Sequence, residues 1–348
     1  RAGFYPWKFD KEKIQHAIFN IKGVILFKQN KFEQAKFNFL KSIELEKKFI
    51  DPYKNLFQLF LKTNNLISAI ELGNKVISLD ANKNPLSYFN LALAYDLNRD
   101  FKKAIEFYKI AENFNFEEKK ILFNNMAKCF LGLNKAEQAK SYYLKALEID
   151  ENDKFIINNL LILYLRLGDK DQTEYFYNKA KEIDNDYIEF KLNESDYLLF
   201  KNEIEKAIEV LKSIITNSKN YIAYTKLAKI YSSINNNKKA IETIEEAISI
   251  YPNIKDLKFS RGIHHLIEGN FEKGWELYEF RDSIVKDDTF KNVKIWQGQN
   301  LKDSEVLVTS EQGMGDVIQF SKFLINLSPL CKKIDFLLYD KLLPIFKK

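Results

Sequence analysis

The sequence predicts a mainly α-helical protein: an array of about eight helix hairpins, followed by a short α/β unit with a βαβ order. Three observations lead to this fold class. The 348 residues include only 11 Gly and 6 Pro, so chain breakers are scarce and long helices are favoured. Small residues recur with a period of about 34 residues over most of the chain. After about residue 303, the hydrophobic pattern changes from a helical period to short β-branched runs.

The repeat is carried by one small residue in each copy. Sliding the segment KAEQAKSYYLKALEID along the chain places these residues 33–35 positions apart, at Ala35, Ala69, Ala104, Ala139, Thr173, Ala207, Ala240 and Gly274. A second in-phase position lies twelve residues earlier, and a large side chain follows it after three residues, as in Ala127 and Phe130. Two antiparallel helices approach closely where a small side chain faces a large one. We therefore expect Ala104, Ala139 and Ala240 to be buried at hairpin contacts.

These in-phase positions resemble the tetratricopeptide family over about three quarters of the chain. The resemblance implies a right-handed superhelix whose first helices line a concave groove. We divide the chain into an N-terminal extension (1–15), a tetratricopeptide repeat array (16–287), a linker (288–303) and an incomplete α/β unit (304–348). No strand is expected in residues 16–270. Because the first residue is Arg1 rather than Met, we expect a cut or processed N-terminus.

A row of asparagines is predicted to face the groove. With the first repeat starting at His16, the sixth position points away from the core positions on a helical wheel. Five consecutive repeats place Asn at this position: Asn55, Asn90, Asn125, Asn159 and Asn193. An amide offers both a donor and an acceptor, which matches a peptide backbone unit. The row predicts an extended peptide or protein as partner, and structural pairing of Asn between adjacent helices is the alternative.

The asparagine row resembles the asparagine ladder in the superhelix of O-linked N-acetylglucosamine transferases. In that family the ladder holds the acceptor polypeptide, so the resemblance implies the same role for this groove. The flanking repeats depart from the pattern with Ile21, Lys226 and Ser260, which confines the resemblance to the middle of the array.

The last 45 residues predict a βαβ unit. EVLVTS (305–310) has the composition of a buried strand, and residues 316–327 have helical spacing. IDFLLY (334–339) predicts a second, parallel strand, and DKLLPIFKK starts another helix. With only two strands, Val317, Phe320, Phe323 and Leu324 are expected to lack most of the core that such a helix needs.

A glycine-containing turn connects the first strand to its helix. Glu311, Gln312, Gly313 and Gly315 form a candidate phosphate or substrate loop, because glycines allow close approach and a helix N-terminus presents unpaired N–H groups. A dinucleotide-binding turn would carry a third glycine where Ile318 stands, so a dinucleotide is disfavoured. Asp316 follows the turn as a candidate catalytic base, and a helix N-cap is its alternative role.

Three blocks in order, GWELYEFR, IWQGQNL and EVLVTSEQGMGDVIQF, resemble the junction between repeats and enzyme in bacterial tetratricopeptide proteins joined to a heptosyltransferase-like glycosyltransferase. The resemblance implies a GT-B arrangement of two Rossmann-like domains. It also implies a nucleotide sugar as donor substrate in the parent protein, no metal or other cofactor in this segment, and Asp316 as the base. The present chain is expected to be inactive alone. The alternative function is a non-enzymatic scaffold for protein–protein interaction.

Composition disfavours several other classes of function. No stretch combines clustered Lys and Arg with aromatics, so nucleic acid is not an expected partner. No apolar run approaches the ~18 residues of a membrane span. Two distant cysteines and the lack of a signal-peptide pattern favour a cytoplasmic location. The three histidines lack the i,i+4 spacing of a helical metal site, and His265 occupies a core position.

Overall fold

The computed structural model describes residues 11–80, 82–281, 293–294, 296, 298–310 and 313–346. Contacts divide the chain into two units, Arg1–Leu227 and Ala228–Lys348. Of the predicted linker 288–303, residues 288–292, 295 and 297 lie outside the described residues.

Sixteen consecutive helices fill the predicted array. The first eight are α1 (Lys11–Lys28), α2 (Phe32–Leu45), α3 (Asp51–Lys62), α4 (Leu66–Leu79), α5 (Pro85–Leu97), α6 (Phe101–Asn113), α7 (Lys119–Gly132) and α8 (Ala136–Ile149). The next eight are α9 (Lys154–Leu167), α10 (Lys170–Ile183), α11 (Ile188–Phe200), α12 (Ile204–Ser218), α13 (Tyr221–Ser233), α14 (Asn237–Ile250), α15 (Lys255–Ile267) and α16 (Phe271–Tyr278). The first helix begins at Lys11, five residues before the predicted repeat start. Within the described part of 16–270 there is no strand, as predicted.

Consecutive helices pack as hairpins through the predicted small residues. In the first unit α1 packs on α2, and the same pairing continues to α11 with α12; in the second unit α15 packs on α16. Ala104, Ala139 and Ala240 are fully buried, as predicted, and the helices of Ala104 and Ala139 pack as hairpins. A Cβ at Gly23, which holds the second in-phase position, would lie 2.5 Å from the Phe39 ring, so a larger residue there would displace that ring.

Aromatic pairs recur within the central repeats. Tyr95 stacks on Phe107, Phe130 on Tyr142 and Tyr164 on Phe176, with centroids 5.3–5.5 Å apart and planes within 17° of parallel. In each pair the partners are twelve residues apart, one on each helix of the hairpin. Such stacked pairs add to the burial energy that holds each hairpin closed.

Each turn between paired helices contains one residue in the left-handed conformation. These residues have φ between 56° and 79° and recur in phase, at Asn30, Asn64, Arg99, Asn134, Gly168, Asn202, Asn235 and Gly269. The following backbone N–H donates to a carbonyl five residues earlier, as from Lys135 to Phe130. This bond satisfies a helix-terminal carbonyl and reverses the chain in few residues. Asn and Gly predominate because they tolerate positive φ.

The C-terminal segment contains the predicted βαβ order. Strand β1 (Glu305–Thr309) pairs in parallel with β2 (Lys333–Leu337), and Val306 lies opposite Ile334. Between them the predicted single helix is divided into α17 (Met314–Ser321) and α18 (Leu324–Leu327), followed by a 3₁₀ turn (Ser328–Leu330). After β2 come a second 3₁₀ turn (Asp340–Leu342) and α19 (Leu343–Phe346). The sheet has two strands, which does not by itself establish a Rossmann fold.

Burial in this segment differs in part from the prediction. The prediction that β1 is a buried strand is wrong, since every residue of β1 keeps contact with solvent. Phe320 and Phe323 are more than half exposed, as expected for a helix without a full core, but Val317 is buried. A strand with one neighbour and one covered face cannot be buried on both sides.

Candidate functional site

Two asparagines of the row pair laterally with the preceding repeat. The Asn55 amide donates to Asn20 Oδ1 at 2.9 Å, and the Asn159 amide donates to Asn124 Oδ1 at 2.9 Å. In both cases the acceptor lies 35 residues earlier, on the first helix of the preceding repeat. Lys226, at the same in-phase position, instead forms an ion pair with Asp196 at 2.6 Å. A single bond of this kind leaves each Asn with a further N–H and its carbonyl for another partner.

Asn55 and Asn90 line one cavity of about 200 Å³. Lys54, Gln58 and Ser87 are the nearby polar groups of its wall, and Phe57 and Val76 supply apolar surface. The cavity therefore places amides from adjacent repeats in reach of one ligand, with both donors and acceptors available.

Asn125 belongs to a cluster of polar groups on α5, α6 and α7. It lies beside the hydroxyl of the fully buried Tyr108, and burial raises the pKa of that hydroxyl. Burial also raises the pKa of the Asp96 carboxyl, against the smaller opposing effects of the Cys129 thiol and Lys128. The Cys129 thiol is buried and its pKa is raised, so it lacks the thiolate character of a nucleophile.

The remaining members of the row differ in accessibility. Asn159 lines a second cavity, whereas Asn193 is only 9 % exposed. Asn193 therefore offers a ligand less of its amide than the other four do. In the first repeat, Ile21 holds the same position and is 58 % exposed. The row of amides therefore begins only at Asn55.

The glycine turn lies at the carboxyl end of β1. Gly313 is the N-cap of α17, and Asp316 stands in the first helical turn, so Asp316 is not the N-cap. The nearest heavy atom to a Cβ built on Gly313 is Asp316 Oδ2, at 3.6 Å, and a Cβ on Gly315 would meet nothing within 4 Å. Neither glycine has positive φ. The lack of a side chain therefore matters here because it leaves space for a ligand to approach the backbone.

Asp316 lines a pocket of about 200 Å³ with Thr309, Ser310, Phe320 and Ser321. Ligands of open α/β sheets bind outside the carboxyl ends of the strands, which is where this pocket lies. The N-terminal amides of α17 add donors for an anion. Glu311 and Gln312, the other predicted loop residues, lie outside the described residues.

The histidines form no metal site. No group of three or more His, Cys, Asp or Glu side chains suited to a metal ion occurs in the part of the chain that the structure describes. His264 and His265 are both buried, and burial lowers the pKa of both imidazoles. His265 Nε2 has no hydrogen-bond partner among the described residues. The predicted packed position of His265 is confirmed.

Several residues of these cavities escaped the sequence analysis. Gln58 and Lys128 stand three residues after the asparagines of their helices, and Arg166 stands seven residues after Asn159. Residues at these spacings share a helix face. Extending the face of the asparagine row by one or two turns would therefore have found all three.

Comparisons with known proteins agree with the predicted helical repeats. The tetratricopeptide repeat family matches residues 16–49, 86–112, 122–153 and 221–254. A tetratricopeptide repeat protein from Parabacteroides merdae is similar in structure, with a TM-score of 0.55 and 18 % identity, over 66 % of this chain and 91 % of that one. The Cut9–Hcn1 hetero-tetramer structure of APC/C gives a TM-score of 0.52 at 14 % identity, over 74 % of this chain and 49 % of that one.

One curated relative shares sequence over a short segment. Protein FlbA of Caulobacter vibrioides is 35 % identical over 72 residues, which are 20 % of this chain and 12 % of FlbA. No helix among the described residues is both long and apolar enough to cross a membrane. The family match covers those four segments, and the in-phase helix pairs continue the same arrangement over residues 11–278.

Proposed function

We propose that the array binds an extended polypeptide along the face that carries the asparagine row. The observation that carries this proposal is the cavity shared by Asn55 and Asn90, where amides of adjacent repeats face one space. Spare donors and acceptors on these amides can bind backbone units of a peptide without reading its side chains. Tetratricopeptide repeats use such extended surfaces for binding.

The test replaces Asn90, Asn125 and Asn159 together with Ala. Losing up to three hydrogen bonds should weaken binding about tenfold or more. Binding is measured by fluorescence anisotropy with a labelled peptide selected from a random dodecapeptide library, and helical content by circular dichroism. The matched control replaces Asn113, Asn152 and Asn178, which are exposed and outside the row. Unchanged affinity in a folded triple variant would leave the row with a structural pairing role only.

The α/β unit is proposed to contribute to glycosyl transfer. Its support is the pocket beside Asp316 at the carboxyl end of β1, together with the open space over Gly313 and Gly315. A nucleotide sugar would bring its phosphates to the N-terminal amides of α17. The oxygen of the acceptor hydroxyl would form the bond to the anomeric carbon of the sugar, and the nucleotide would leave. Asp316 would take the proton that the hydroxyl loses. The groove would then hold the acceptor polypeptide.

A scaffold without catalysis is the competing function, and the encoding gene distinguishes the two. We expect about 200–300 further residues of alternating strands and helices after Lys348. A stop codon directly after Lys348 would favour the scaffold.

In the longer protein, Asp316→Asn should keep donor binding but lower kcat by about 10²–10⁴-fold, because the amide cannot accept the proton. Ser321→Ala is the control and should keep most of the activity, because the Ser321 hydroxyl lines the same pocket but donates to the Ile318 carbonyl. Donor binding is measured by calorimetry and transfer with a radiolabelled sugar. Full turnover by Asp316→Asn would remove Asp316 from the chemistry.

A further inference from the structure

A second cavity on the first helices, of about 290 Å³, lies where the fourth and fifth repeats meet. Its wall includes Lys128 from α7 and Arg166 from α9, together with the Asn159 amide of the asparagine row. Leu131, Ile162 and Tyr143 supply the apolar part of the wall. The cavity therefore combines two exposed cations and an amide with apolar surface.

The two cations differ from most lysines of the neighbouring first helices. Lys120 pairs with Asp150 and Asp153, Lys154 with Asp184, and Lys226 with Asp196, at 2.6–2.8 Å. Lys128 and Arg166 form no ion pair within 4.0 Å in the described part of the chain. Burial raises the pKa of the Asp96 carboxyl by more than Lys128 lowers it. Among the described residues, therefore, no carboxylate lies within ion-pair distance of either cation.

Carboxylate is the ligand chemistry that this set recognises. Arg presents a planar fork of donors, Lys a compact positive charge and Asn a further N–H, and a carboxylate accepts from all three. The volume of the cavity suits an acidic side chain with the backbone unit that carries it. We infer that this cavity selects an Asp or Glu side chain of the polypeptide held on the asparagine row. This inference rests on the proposed polypeptide binding.

The experiment compares three proteins in panning against a phage-displayed random dodecapeptide library. They are the unmodified chain, Lys128→Met with Arg166→Met, and the control Lys102→Met with Lys109→Met. The control removes the same charge from exposed positions of α6, outside the cavity. The tightest selected peptide is then measured by anisotropy, as found and with its acidic residue changed to Gln or Asn.

The expected result is enrichment of Asp or Glu at one register with the unmodified chain and the control, and loss of that enrichment with the cavity variant. The acidic peptide should bind about tenfold more tightly than its amide counterpart, and only when Lys128 and Arg166 are present. Selected peptides without acidic preference would overturn this inference and leave the groove proposal standing. No selection by any of the three proteins would overturn both.

Discussion

At the scale of single residues, the turns show how backbone conformation dictates sequence. Seven of the eight in-phase turn positions hold Asn or Gly, and the remaining one holds Arg99 with φ of 63°. In the left-handed region the Cβ of an ordinary residue crowds its own backbone, which costs roughly 1–2 kcal/mol. Arg99 is exposed and gains no compensating burial. The third hairpin therefore contains a local strain that its neighbours avoid.

Replacing Arg99 with Asn should raise the free energy of unfolding by about 1 kcal/mol, because Asn tolerates this conformation. Arg99→Ala is the control, since it removes the same side chain but gains no tolerance for positive φ. Urea denaturation followed by circular dichroism measures the difference. If Arg99→Asn and Arg99→Ala had equal free energies of unfolding, the left-handed conformation of this turn would not be a source of strain.

Residue patterns with a fixed period could be predicted from the sequence, but pairings that depend on rotamers could not. The buried positions of Ala104 and Ala139 follow from the repeat, because helix spacing leaves no room for a larger side chain. The bonds from Asn55 to Asn20 and from Asn159 to Asn124 depend on which way each amide turns. Asn90 shares a cavity with Asn55, and what its amide presents there depends on the rotamer in the same way.

At the scale of helices, the last hairpin differs from the others in its buried ionisable groups. His265 stands where three other repeats have Tyr95, Tyr164 and Tyr231, and His264 stands where Ile230 lies in the preceding repeat. Burial is the main cause that lowers the pKa of both histidines, while Glu268 acts in the opposite direction on both. Glu245 also raises the pKa of His265, and Lys273 and Arg261 lower it further.

The hairpin of α15 and α16 should therefore lose stability as the pH falls. Unfolded histidine takes up a proton near pH 6.5, and the buried histidines do so only at lower pH. Between these values the unfolded chain binds more protons, so stability falls as the pH drops through about 6.5. Hydrogen exchange of α15 and α16 at pH 7.5 and 5.5 measures the effect.

A variant with His264→Leu and His265→Tyr should lose most of this pH dependence, because Leu163 and Tyr164 hold the equivalent buried positions in the fifth repeat. His16→Gln, at a half-buried position of α1, is the control and should leave the pH dependence of α15 and α16 unchanged. If the double variant responded to pH as the unmodified chain does, the two histidines would not be the sensors.

At the scale of the whole molecule, the helices of the array bury many more side chains than the C-terminal segment does. Helix α9 alone buries seven residues. In residues 313–346, by contrast, only Val317 and Leu342 are buried apolar residues. The helical period and the strand–turn–helix order were both predictable, since each is local. The division of the helix after Ser321 was not, because it depends on packing that the two strands only partly provide.

This difference predicts unequal protection from hydrogen exchange. Amides of β1, α17 and β2 should exchange much faster than those of α7–α9, because local opening of a unit with few buried side chains costs little free energy. Removing residues 304–348 should leave the exchange of α7–α9 unchanged, since repeat stability depends on nearest neighbours. Protection of β1 and β2 equal to that of α7–α9 would contradict the low local stability inferred from their few buried side chains.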